Sequence, residues 1–337
     1  MGNRIKLMEV CGTHTMAIAR SGIKKTLPAG IELISGPGCP VCVTSQEDID
    51  RAIRIASLDG VIMTTFGDMM RVPGSGGSLE DAKTGGADVR VVYSPLDAVE
   101  MAEAEPEKNV VFMGVGFETT SPTIAAAVME ARRRHIKNFF VLSNFKLVFP
   151  ALGVIAGSRT VQVDGFICPG HVSVITGSRP YERIAKKFGK PCVIMGFEDM
   201  DIIKGIDRLV RQIKNSESKV EIEYKRAVTE EGNTAAQKVI EKVFEPAPAA
   251  WRGIGVIPES GLKFRKEYTS FDAGKKFKVK VPKPAPIKGC ICGEVLQGIK
   301  KPEECKLFGK RCTPEDPVGP CMVSSEGSCA ARYKYGE

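Results

Sequence analysis

Residues 31–56 read Ile-Glu-Leu-Ile-Ser-Gly-Pro-Gly-Cys-Pro-Val-Cys-Val-Thr-Ser-Gln-Glu-Asp-Ile-Asp-Arg-Ala-Ile-Arg-Ile-Ala. A short apolar run, Ile31–Ser35, stops at a Gly-Pro-Gly turn. From Glu47 to Ala56 the apolar residues then recur three and four apart, which is the period of a helix. Thr44 and Glu47 have the spacing of a capping box at that helix's start. A strand that turns directly into a helix is one unit of a parallel α/β sheet.

The same alternation runs outward in both directions, from Lys6 to about Lys214. Strands are predicted at Lys6–Val10, Ile31–Ser35, Gly60–Thr65, Val89–Tyr93, Asn109–Val115, Asn138–Leu142, Gly165–Ile167 and Pro191–Met195. Helices are predicted at Leu96–Ala104, Ile124–Arg134, Tyr181–Phe188, Asp201–Lys214 and Thr234–Phe244. Ser94–Pro95 and Ser121–Pro122 each place a cap before a proline at the first helical position. Eight strands suit two smaller α/β layers better than one sheet, with a boundary at residues 94–110. The division is therefore 1–100, 101–245 and a remainder, 246–337. Within that remainder, Pro246–Pro248 and Pro282–Pro286 read as linkers.

Composition narrows the class. The chain has 337 residues, 43% hydrophobic and 26% charged, as a globular protein with a sizeable core should. No apolar run reaches about 18 residues, and Met1–Val10 lacks a signal core, so a cytoplasmic protein without membrane contact is expected. The net charge of +8 is dispersed. Its densest stretch, Lys275, Lys276, Lys278, Lys280 and Lys283, has one aromatic, Phe277, and reads as solvated surface rather than a nucleic-acid site. An acidic protein partner fits the same charge.

Eleven cysteines are the anomaly. In a reducing compartment they point to metal binding or redox chemistry rather than disulfides. Cys11 and His14 follow the first strand, where open α/β sheets bind ligands. A helix start there would lower the Cys11 pKa and favour a thiolate, and His14 could serve as base, donor or second ligand. A buried core cysteine remains the competing reading. Cys39 and Cys42 form a C-x-x-C at a strand-to-helix turn, where two sulfurs can reach each other and act as a redox pair; half of a zinc site is the alternative. Further strand-end loops would add Asp68, Glu118 and His171 to one crevice if the strand ends converge. Cys192 opens a strand, where burial is the plain reading; Cys168 ends one, beside His171.

From Ile287 onward the chain is rich in Cys, Gly and Pro, with cysteines at 290, 292, 305, 312, 321 and 329. The spacing Cys292-x12-Cys305-x6-Cys312-x16-Cys329 is neither a zinc ribbon nor a bacterial ferredoxin. It indicates a small metal domain, and spacing does not choose four ligands among six cysteines.

Met8–Thr15, Gly36–Cys42, Phe66–Gly74, Gly116–Thr120, Pro169–Ser173, Cys292–Leu296 and Met322–Ala330 together resemble, in order, the signature blocks of the HypD family of hydrogenase-maturation scaffolds. The resemblance implies two Rossmann-like parallel-sheet α/β domains around a cleft, and a small C-terminal domain with a 4Fe-4S cluster. It implies Cys292, Cys305, Cys312 and Cys329 as cluster ligands, leaving Cys290 and Cys321 as spares. Cys39 and Cys42 would be the redox pair, and Cys11 the anchor of an iron under assembly, a transient Fe(CN)2CO moiety, with His14 beside it. The implied partners are the small chaperone HypC, HypE as cyanide donor together with HypF, and indirectly the large subunit of nickel–iron hydrogenase. The family's tail also resembles ferredoxin-dependent thioredoxin reductase. Family members carry a further N-terminal helical segment ahead of the first block, which begins here at Met8.

Three functions compete on this reading. The first is a scaffold that also performs redox chemistry. The second is a cluster-dependent dithiol–disulfide oxidoreductase, and the third a zinc-stapled interaction protein.

Overall fold

The computed structural model describes residues 4–281, 283–284 and 287–336. Its strands are β1 (Ile5–Glu9), β2 (Ile31–Ser35), β3 (Val61–Thr65), β4 (Asp88–Val91), β5 (Asn109–Gly114), β6 (Phe139–Ser143), β7 (Gly165–Cys168), β8 (Cys192–Ile194), β9 (Val220–Ile222), β10 (Phe244–Trp251) and β11 (Gly255–Phe264). All strands predicted from the sequence are present, with ends shifted by at most two residues.

Two parallel sheets and one antiparallel hairpin result. The first sheet has the order β2-β1-β7-β8-β9 and the second β4-β3-β5-β6. Both follow the doubly wound pattern in which the second strand lies outside the first and the third returns to its other side. That leaves a topological switch point between β1 and β7, and another between β3 and β5. Both faces of these strands are covered, as parallel sheets require. In β1, Leu7 packs with Ile18, Ile167 and Val193, while its neighbour Met8 packs with Phe166, Cys168 and Ile194 on the opposite face.

The strand pairing divides the α/β region differently from a cut near residue 100. β3 and β4 pair with β5 and β6, whereas β1 and β2 pair with β7. The chain starts one sheet, builds the other, and returns. Alternation along a sequence marks strands but carries no information about which sheet each will join.

Other local expectations also shift. The helix Gln46–Ala56 is capped by Ser45, whose hydroxyl accepts from Asp48 N–H, not by Thr44. Ser94 caps the helix Pro95–Ala104 as expected, with Asp97 returning the bond. Thr120, without a side-chain cap bond, precedes the helix Ser121–Arg133. The supposed linker Pro246–Pro248 lies within β10, which pairs with β11 through a register shift between Ala247 and Ala249. A two-stranded ribbon has free edges, where a proline's missing N–H removes no ladder bond. Pro282, Ala285 and Pro286, and the linker expected there, fall outside the described residues. No helix among the described residues is long and apolar enough to cross a membrane.

The hairpin carries the one tryptophan, Trp251, into the interior, where it is 2% exposed. Its Nε1–H donates to Ser260 Oγ at 2.8 Å, and its ring stacks on Phe117 with centroids 6.1 Å apart. Ser260→Ala would strand that buried indole donor. A loss of roughly 1–3 kcal/mol in urea unfolding is expected; unchanged stability would mean that the indole finds another acceptor.

Candidate functional site

Cys11 sits at the carboxyl end of β1, at the first switch point, and is the residue before the helix Gly12–Ser21. The loop after β2 folds directly onto it. Gly12 N–H donates to Gly38 O at 2.8 Å, and Gly36 N–H to Glu9 O at 2.8 Å. The approach is so close that a Cβ on Gly38 would lie 2.2 Å from Cys11 N. Cys11 is buried, and burial pushes its thiol up to about 11. The His14 backbone N–H works in the opposite direction and loses. This corrects the expectation of a lowered pKa: a helix start favours a thiolate only where desolvation is mild.

His14, one turn on, is fully buried. Its Nε2 lies 2.8 Å from Gly196 O. A carbonyl only accepts, so Nε2 carries the proton and Nδ1 keeps a lone pair, which has no partner. Burial lowers the His14 pKa to about 4. Phe197, in the loop after β8, lies between two histidines: its ring centroid is 4.6 Å from His14 and 4.1 Å from His171. His171 lies in the first turn of the helix Gly170–Thr176 that follows β7, on the other side of the switch point. Behind this stack, the two guanidinium nitrogens of Arg226 reach the two carboxylate oxygens of Asp201 at 2.9 and 2.6 Å.

The C-terminal segment closes the site. Thr13 Oγ1 donates to Glu326 Oε1 at 2.7 Å, and the Glu326 charge acts on both Cys11 and His171. Ser324 Oγ accepts from Glu326 N–H at 3.3 Å and donates to Asp68 Oδ2 at 3.1 Å. Asp68, from the loop after β3, thus joins the Cys11 region through the tail. Glu118 does not. Its Oε1 accepts from Val148 N–H at 2.9 Å, its Oε2 has no partner, and burial raises its pKa to about 7. Sequence proximity to a strand end placed both acids in one crevice; the turn geometry sends Glu118 into the interior instead.

Cys39 and Cys42 bracket the first turn of the short helix Pro40–Val43, and Cys39 Sγ accepts from Cys42 N–H at 3.4 Å. The Cys42 thiol neighbours Cys321. That neighbour lowers its pKa most, but Cys39 and burial outweigh it and hold the thiol well above its usual value. A four-residue helix supplies too little dipole to reverse this.

All six tail cysteines, 290, 292, 305, 312, 321 and 329, line one small apolar pocket with Leu307, Phe308 and Met322. Cys321 lies among Cys292, Cys329 and Cys42, and Cys290 beside Cys292. Gly319 is part of the cradle, since a Cβ there would meet Cys290 Sγ at 2.7 Å. All eleven cysteines are free thiols here. Among the described residues no three His, Cys, Asp or Glu side chains converge on the position of a single ion. The donor set is soft and wholly sulfur, which fits an iron–sulfur group held by several separated thiolates. Cys168 and Cys192 are fully buried neighbours in the core of the first sheet.

Two residues of the site escape the sequence reading. Glu326 lies inside the block Met322–Ala330, where the cysteine draws attention and the acid does not. Arg252 follows the supposed linker, and nothing local marks it, yet its side chain is buried between Thr44 and the tail.

A histidine whose folded pKa lies near 4 and whose unfolded pKa is 6.5 leaves the unfolded chain with more bound protons between those values. Stability therefore falls as pH drops through that window. Glu118, raised to about 7, acts in the opposite direction. The His14 share appears on comparison with His14→Gln: the parent should lose about 3 kcal/mol more than the variant between pH 6.5 and 4. Parallel stability curves would show that His14 is not buried neutral.

Comparison with known proteins identifies the family. A family profile described as "HypD: Hydrogenase formation hypA family" matches residues 1–336. The chain is 47% identical to the hydrogenase maturation factor HypD of Cupriavidus necator, over 99% of this chain and 90% of that protein. It is 47% identical to HypD of Rhizobium leguminosarum bv. viciae, over 98% and 88%. It is 45% identical to HypD of Azotobacter vinelandii, over 98% and 89%. With matching of this extent, the chain belongs to the HypD family of hydrogenase maturation factors.

Proposed function

We propose that this protein is the scaffold on which the Fe(CN)2CO moiety of nickel–iron hydrogenase is assembled, working with HypC and receiving cyanide from HypE. The observation that carries this reading is a thiol, Cys11, at a switch point, with His14 and Glu326 beside it and His171 joined to His14 through Phe197. The iron is the substrate. A low-spin iron with cyanide and carbonyl ligands is soft, and a thiolate is its fitting anchor. Burial keeps the free Cys11 thiol protonated, so iron binding must release that proton. Glu326 and His171 are the nearby groups able to carry it away. His14, fixed by Gly196 O, offers Nδ1 as an acceptor.

The tail would hold the 4Fe-4S cluster, with Cys305, Cys312 and Cys329 as three ligands. Such a cluster supplies single electrons. On the resemblance the fourth ligand is Cys292. Cys290, which lies beside Cys292, is the rival, because Cys292 and Cys321 neighbour each other and Cys321, besides touching Cys329, neighbours Cys42. A dithiol at 292 and 321 would then stand between the cluster and the Cys39–Cys42 pair. This arrangement also supports the second function, dithiol–disulfide exchange driven from the tail.

Two measurements decide. Protein copurified with HypC should show cyanide and carbonyl stretches in its infrared spectrum. Cys11→Ala should abolish them while iron–sulfur content persists, because the two sites use separate residues; bands at full intensity would place the iron elsewhere, with Cys168 next in line. Alanine at Cys305, Cys312 or Cys329 should lower bound iron and sulfide. Between Cys290→Ala and Cys292→Ala, only the replacement that removes a true ligand should do so, and retention of the cluster in both would exclude either as the fourth.

A further inference from the structure

The turn of the β10–β11 hairpin is wedged between the two cysteine regions. On one side, Trp251 bridges Thr44, Arg252 N–H donates to Val43 O at 2.8 Å, and Arg252 Nε–H donates to Thr44 O at 2.9 Å. Val43 and Thr44 directly follow Cys42. On the other side, Gly253 meets Gly293, the residue after Cys292, so closely that a Cβ on Gly253 would lie 2.2 Å from Gly293 Cα. Gln297 Nε2–H donates to Gly253 O at 2.7 Å and fastens the same turn to the tail helix Cys292–Leu296.

Arg252 is therefore enclosed, with 9% of its surface exposed. Its Nη2 is buried and has no hydrogen-bond partner. Among the described residues no carboxylate pairs with it. An uncompensated buried guanidinium costs several kcal/mol, so such a group persists only beside negative charge. Its charge reaches Cys290 and Cys292, where it favours the anion but is outweighed, at Cys290 by Cys292 and burial and at Cys292 by Cys321 and burial, so the free thiols stay protonated and the charge is left for sulfur made anionic by metal binding or reduction.

We propose that Arg252 is the counter-ion of the tail's sulfur centre, a positioning residue whose fixed positive charge stabilises anionic sulfur at Cys290 and Cys292 and holds the Cys39–Cys42 loop against it. The inference rests on the sulfur chemistry proposed above. Reduction adds negative charge, so a fixed cation beside the centre favours the reduced form. Arg252 thereby sets the potential at which the tail gives up electrons, while its two bonds to Val43 and Thr44 keep the receiving pair in register. The planar guanidinium is anchored through Nε to Thr44 O, which leaves the buried Nη2 without a hydrogen-bond partner.

The test is a redox titration of the full-length protein, purified without oxygen and followed by its iron–sulfur absorbance, for the parent, Arg252→Gln and Arg252→Lys. Circular dichroism checks folding. Arg252→Gln should shift the reduction equilibrium at least tenfold toward the oxidised form, about 60 mV downward for a one-electron centre. Arg252→Lys, which keeps the charge, should stay within a threefold change. A folded Arg252→Gln protein with the parent's midpoint overturns the proposal, as does an Arg252→Lys protein shifted as far as the glutamine variant. If Arg252→Gln does not fold, the lysine variant decides: an unchanged midpoint supports the charge assignment, and a tenfold downward shift defeats it. A parent without iron–sulfur absorbance would instead count against the cluster itself, and the same comparison would then be read on the tail thiols by trapping in glutathione buffers.

Discussion

The 2.8 Å hydrogen bond from Gly12 N–H to Gly38 O joins the first two strand-end loops, and the site depends on it. It brings the loop that carries Cys39 and Cys42 onto the backbone of Cys11, at a separation only glycine allows at position 38. Cys11 is thereby sealed from water on one side, and this seal, more than the helix that follows, governs its acidity. The same contact turns Cys42 toward the tail, where it meets Cys321.

The remaining walls come from parts of the chain far apart in sequence. Glu326 reaches Thr13 from the C-terminal segment, and Ser324 ties that segment to Asp68. The helix Ser328–Tyr335 packs against the helix that begins after Cys11. The tail is thus fastened at three places: to the first sheet through Thr13, to the second through Asp68, and to the hairpin turn through Gly253 and Gly293. A tail held at several points keeps its cysteines at fixed distances from Cys42, as the proposed electron exchange between sulfurs requires.

Several buried polar atoms forgo hydrogen bonds, and some of them lie near the proposed chemistry. His14 Nδ1, Glu118 Oε2, Glu9 Oε2 and Arg252 Nη2 are all buried without partners. Each such atom forfeits roughly 1–3 kcal/mol. Two of them, in His14 and Arg252, lie beside the thiols that carry the proposed chemistry. Glu118 has no sulfur partner, and its raised pKa makes it a neutral acid for part of the physiological range.

The sequence by itself determined most of the secondary structure of the α/β region, because strand and helix periods are local, but it missed β9 at the edge of the first sheet. It also determined the family and which cysteines belong together in motifs. It did not determine which sheet each strand joins, since β3 looks the same whether it pairs with β1 or with β5. It misjudged the acidity of Cys11, because desolvation depends on what the chain folds over it, here Gly38 and Glu326. The prolines at 246 and 248 suggested a linker, whereas a two-stranded ribbon tolerates them at its free edges. Glu326 and Arg252 became visible only in three dimensions. A charged side chain gains a role from the groups it faces, and one such group lies 313 residues away for Glu326, at Thr13, and another 208 away for Arg252, at Thr44.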